Sequence, residues 1–163
     1  MNRHPASRWG QLGLALAGLV LAGAAGCARR TPARDEWGTF VAERHRQADQ
    51  RLDEGDVEAA RVALLSVLQL QARRPARDHQ LALQDTYFRL ARLSLDQHQP
   101  RQALEFADQG LAQGTAPHLF VANLLVARAA AEEALAEPQA AVNDYHRALL
   151  MNEALLAQVV KRP

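Results

Sequence analysis

Cys27 is the single cysteine of this 163-residue chain, and it directly follows the run Leu-Ala-Gly-Ala-Ala-Gly. A lone cysteine can be a reactive thiol, half of an intermolecular disulfide, or a handle modified once during maturation. Other groups able to do chemistry are sparse. A serine nucleophile needs a neighbouring base and a turn that exposes it, whereas Ser66 and Ser94 fall inside helical patterns with no glycine-rich elbow. The downstream histidines, His45, His79, His98, His118 and His146, form neither HExxH nor HxxxH, the spacings that put two ligands on one helix face. Asp78-His79 and Asp144-Tyr145-His146 set acids beside histidines, but adjacent residues of a helix do not face each other. The expectation is a chain without catalytic residues, bound metal or cofactor.

The surroundings of Cys27 bear on its role. Arg3 and Arg8 make the start of the chain positive, and no residue from Leu12 to Ala25 carries charge. That apolar run is shorter than the ~20 residues a membrane-spanning helix needs and fits the core of a secretory signal. Five of the nine glycines lie within residues 1–26, which makes this segment a poor helix for a folded core. Ala24, Ala25 and Gly26 before Cys27 resemble the lipobox of bacterial lipoproteins, although that motif most often has leucine where Ala24 stands. The resemblance implies cleavage after residue 26, lipid on the Cys27 thiol and, with Ala28 rather than aspartate next, sorting to the periplasmic face of the outer membrane. A plain secretory signal cut near Ala-Gly-Ala is the other reading. Loss of residues 1–26 removes two arginines and no acid, taking the formal net charge from +1 to −1, a balance that offers no footprint for nucleic acid. Residues 27–34 then form the lipidated cysteine and a tether, whose seven residues after Cys27 reach about 25 Å at most; its Arg29, Arg30 and Arg34 can meet anionic head groups or water.

From Asp35 to Pro163 the sequence must supply the elements that hold any functional side chain. Alanine, leucine, glutamine, arginine and glutamate dominate, strand-type alternation is absent, and only four glycines remain. Breakers at Gly55-Asp56, Pro75, Pro100, Gly114 to Pro117 and Pro138 divide the apolar 3.6-residue periodicity into separate helices. The expected spans are 35–54, 57–72, 79–97, 100–113, 118–136 and 138–150, with a short tail helix near 153–160. The fold expected is all-α.

Three segments of this region align with each other: "RLDEGDVEAARVALLSVLQL", "SLDQHQPRQALEFADQGLAQ" and "ALAEPQAAVNDYHRALLMN". Each carries a turn, an alanine (Ala60, Ala103, Ala141), seven residues on a small or apolar side chain (Val67, Gly110, Ala148), and then a leucine (Leu68, Leu111, Leu149). Small residues let two antiparallel helices approach closely, and the leucine fills the groove toward the next hairpin. Together with Tyr87, Leu90, Ala91, Ala107 and Tyr145, the pattern resembles the tetratricopeptide repeat. That resemblance covers about residues 37 to 152 and implies about three helical hairpins in a right-handed α-solenoid. The alanine spacings are 43 and 38 rather than the family's 34, and Arg44 and Arg128 stand where apolar residues are expected.

The resemblance further implies a concave groove lined by the first helix of each hairpin. Its candidate protein-binding residues are His45, Asp49, Asp85, Phe88, Arg89, Arg92, Asn123 and Val126, with Phe88 as apolar anchor and the arginines as polar grips for an extended peptide or helix. The lysine and asparagine set of the chaperone-binding members is absent. Fold alone does not give function. By analogy with lipoproteins of similar layout, the chain is expected to be a non-catalytic scaffold or assembly factor for an envelope machine such as type IV pilus or secretion assembly, held to the membrane by its lipid and working in a complex or as a homodimer. A periplasmic enzyme or a peptidoglycan-binding accessory protein is the alternative.

Overall fold

The computed structural model describes residues 34–69 and 77–161, with side chains for 37–69 and 79–161. The expected signal peptide, Cys27 and tether lie outside these residues, as do Pro75 and the expected end of the second helix. Among the described residues the chain is all-helical: α1 (Arg34–Asp53), α2 (Val57–Gln69), α3 (Arg77–Asp96), α4 (Pro100–Ala112), α5 (Leu119–Ala134) and α6 (Pro138–Val160). Pro100 and Pro138 sit in the first turns of α4 and α6, where the missing N–H costs nothing. The expected separate tail helix does not exist, because α6 continues through Asn152 to Val160. An interior asparagine costs less than about 0.7 kcal/mol relative to alanine, and Met151 holds this part of the helix against the core.

The internal repeat appears in backbone geometry. The α1–α2, α3–α4 and α5–α6 turns each have a middle residue with left-handed φ: Gly55 at 78°, His98 at 55° and Ala136 at 62°. One residue later, Asp56, Gln99 and Glu137 each donate a backbone N–H to a carbonyl five residues back, at 2.8 Å in all three. This is the closure of a Schellman-type helix end, which favours glycine at the left-handed position. Only the first turn has it. Ala136→Gly is therefore expected to raise the unfolding free energy by about 0.5–1 kcal/mol, the relief of left-handed strain less the added freedom of the unfolded glycine. A urea titration that shows no gain would mean that the turn carries no strain at Ala136.

Helices α1, α3 and α5 form one layer, with α3 packed against both neighbours; α2, α4 and α6 pack on their own hairpin partners, and α2 and α4 also on the following inner helix. Alanines make the close approaches. Ala48, Ala91 and Ala129 on the inner helices recur at the spacings of Ala60, Ala103 and Ala141 on the outer ones, and all six are buried. The leucine that follows the small residue behaves as expected in two hairpins: Leu68 packs on the first core cluster and Leu111 is buried in the second. Its equivalent Leu149 is 56% exposed.

One core cluster gathers Ala48, Ala60, Ala63, Leu64, Leu90 and Leu93, and a second gathers Leu111, Val121, Leu124, Leu125 and Ala148. Phe88 and Phe106 pack on Ala91, Ala107 and Ala127 between them, so apolar burial runs unbroken from the first hairpin to the third. Each fully buried leucine contributes about 1.5–3 kcal/mol. Polar clamps complete the frame where the chain leaves the helices. The amide of buried Gln84 donates to Gly114 O at 2.7 Å, and the His118 ring accepts from Phe120 N at the start of α5.

Candidate protein-binding face

The eight groove candidates all lie on the inner helices α1, α3 and α5. Four of them are already tied to one another. His45 presents Nε2 to Thr86 Oγ1 at 2.9 Å and Nδ1 to Asp85 Oδ2 at 3.3 Å. Arg89 reaches Asp85 through Nε at 3.3 Å and Asp49 through Nη1 at 2.8 Å. The result is a polar strut from α1 to α3 that links Thr86, His45, Asp85, Arg89 and Asp49. Burial raises the Asp85 carboxyl, but the His45 hydrogen bond and the Arg89 and His45 charges outweigh it and hold the group below the usual carboxylate range.

The order hydroxyl, imidazole, carboxylate is that of a nucleophilic triad. Here it cannot serve a substrate, because Thr86 is fully buried and its hydroxyl donates to Ala82 O at 2.8 Å. Ser94 is likewise buried, with its hydroxyl on Leu90 O at 2.9 Å. Thr86 also ties α3 to α1 through His45, and Ser94 ties it to α4 through Gln102 Oε1 at 3.2 Å.

Phe88, expected as the apolar anchor of the groove, is half-buried and packed into both the second cluster and the alanine seam. Its ring belongs to the core. Arg92 is exposed and lies over that ring, with its guanidinium carbon 5.9 Å from the centroid. The i,i+4 pairing available with Asp96 is not formed, and among the described residues Arg92 has no carboxylate within ion-pair distance. Asn123 is half-buried and Val126 is 41% exposed. Arg92, Asn123 and Val126 are thus the candidates outside the α1–α3 strut and the core that meet solvent.

A second polar network went unrecognised in the sequence. Arg128 on α5 grips Asp144 on α6 with two nitrogens, Nε and Nη2, the latter at 2.9 Å, and Asp108 on α4 with Nη1 at 3.0 Å. Arg147 adds a bond to Asp144 at 3.1 Å. The Asp144 hydrogen bond, ahead of the other contacts, raises the Arg128 guanidinium above its ordinary value. Buried Glu132 lies 3.9 Å from Arg128 Nε, and its Oε2 has no hydrogen-bond partner. Burial first, then the charge of Asp144, pushes its carboxyl up. The available signal was Arg128 in an apolar register with Glu132 four residues on.

At the other end of the layer, Trp37 packs against His79 with centroids 4.1 Å apart and planes tilted by 54°. Burial pushes the His79 imidazole down, so this ring is held as a neutral packing group. Arg44, the other arginine in an apolar register, lies over Phe40 at 5.0 Å and donates to Gln47 at 2.9 Å. No helix among the described residues is long and apolar enough to cross a membrane. The chain matches no protein-family model, no curated protein and no solved structure.

Proposed function

We propose that this chain is a non-catalytic lipoprotein of tetratricopeptide type, anchored through Cys27 to the outer membrane and facing the periplasm. There it holds or positions a protein component of an envelope machine, of the kind that assembles type IV pili or secretion channels. One observation carries the binding reading. His45, Asp85, Arg89 and Asp49 are engaged with one another in the α1–α3 strut, while Arg92, Asn123 and Val126 on adjacent helices α3 and α5 lie outside it and meet solvent. An unpaired guanidinium beside an exposed aliphatic side chain suits a peptide or helix that offers a carboxylate next to an apolar residue.

The test is site-specific photocrosslinking in cells, with the photoreactive residue at Arg92 or at Val126 and a control at Glu105 on α4. The proposal expects a discrete protein adduct from the two inner positions and none from the control. Equal adducts from all three, or none from the inner pair, would sink it.

A further inference from the structure

The two ends of the helical stack differ in a way that selects a partner. On α1 the outward side chains are polar and satisfy one another: Arg46 and Gln47 both bond Glu43, and Gln50 and Arg51 both bond Glu54. Its only exposed large hydrophobic among the described residues is Leu52. Helix α6 is the opposite. It carries seven of the eleven exposed large hydrophobics among the described residues, far more than isolated surface leucines require. An apolar end cannot bury itself against a polar one, so copies stacked head to tail would be mismatched. Like must meet like.

We propose that α6 is the contact helix of a homodimer, in which two copies pair antiparallel through this strip. The strip is Val142, Tyr145, Leu149, Asn152, Leu156 and Val159, alternating three and four residues apart as the seam of a coiled coil does. That spacing is the same read in either direction, which is what a two-fold axis across the helix demands. Val142 then meets Val159 of the second copy, Tyr145 meets Leu156, and Leu149 meets Asn152. The repeat supports the choice of a helix as occupant. Leu149 is the equivalent of Leu68 and Leu111, which pack into the core, and α2 and α4 both receive another helix.

Charge selects the direction. In the antiparallel arrangement His146 flanks the strip opposite Glu153 of the second copy, and the pair occurs twice by symmetry; an imidazole can donate to a carboxylate in either charge state. A parallel pair would instead set His146 and Glu153 against Ala141 and Ala148 of the second copy, alanines that are buried inside their own domain. Asn152 places a polar residue in the central layers, a device that fixes register at some cost in affinity.

The test is sedimentation of the purified full-length chain in mild detergent at micromolar concentration, with far-ultraviolet circular dichroism to confirm folding. The wild-type chain should run as a dimer. Leu149→Glu combined with Leu156→Glu should give a monomer of unchanged helicity, the dissociation constant rising roughly a hundredfold or more as four apolar side chains leave the interface. His146→Glu alone should raise it about fivefold, and adding Glu153→Arg should restore it, as expected for exposed ion pairs. A wild-type chain that stays monomeric, leaving the strip to a foreign helix or a lipid surface, overturns the proposal, as does a dimer that survives both glutamates. A His146→Glu defect that Glu153→Arg does not relieve overturns the antiparallel arrangement.

Discussion

Arg128→Met should lower the unfolding free energy by about 3 kcal/mol, measured by chemical denaturation at neutral pH, because it strips the counter-charge from buried carboxylates. The Asp144 side chain is 5% exposed and that of Glu132 is 11% exposed. With Arg128 gone, Asp144 keeps only Arg147, itself more than half exposed. Arg128→Lys should fall between, since an ammonium keeps the charge but cannot span Asp144 and Asp108 at once.

The repeat itself supplies the comparison. Shifted by the 38-residue spacing, Arg128 and Asp144 coincide with Leu90 and Phe106 of the second hairpin, which both pack in the first apolar cluster. The third hairpin has therefore put an ion pair where the second has a hydrophobic contact. Replacing a buried pair by apolar residues of similar volume is often neutral or stabilising. Arg128→Leu with Asp144→Phe should accordingly recover most of what Arg128→Met loses. A loss below about 1 kcal/mol for Arg128→Met would place the network in the range of solvated surface pairs.

Local signals are legible in the sequence, and partners on distant helices are not. The apolar periodicity and the proline and glycine breaks located the six helices of the described residues, because those signals are local and backbone-based. The left-handed turns at His98 and Ala136 were hidden, since only Gly55 carries the residue type that the conformation prefers. The break expected between residues 150 and 153 is absent, because Met151 packs on the core and α6 runs on to Val160. The eight candidates lie on α1, α3 and α5, yet which of them are free to meet another molecule is not legible in the sequence. Arg89 lies i+4 from Asp85, but its shorter bond is to Asp49, 40 residues away, and no spacing rule within one helix reveals such a partner. Arg128 stood out only as a mismatch to the repeat, because the acids that justify it come from two other helices.

Gly110→Val should be about as damaging as Arg128→Met, costing about 3 kcal/mol, for a reason that lies in helix approach. A Cβ at Gly110 would meet the two Leu124 methyl carbons at 2.6 and 2.8 Å and Tyr87 Cβ at 2.9 Å. The leucine methyls can rotate aside, but Tyr87 Cβ moves only with the α3 backbone. Gly110→Ala isolates this effect. Alanine gains about 1 kcal/mol of helix propensity over glycine, so a site with space would be stabilised, whereas here the overlap should reverse the sign. The equivalent positions hold buried Val67 and Ala148, so the glycine is required by what α4 meets, Tyr87 on α3 and Leu124 on α5. Tyr87 is fixed at its Cβ and Leu124 is not. Leu124→Ala should therefore relieve only part of the Gly110→Val defect, and the double variant would remain less stable than Leu124→Ala alone. If Gly110→Ala instead raises the denaturation midpoint, α4 has room to move away from α3, and close approach is not what this position demands.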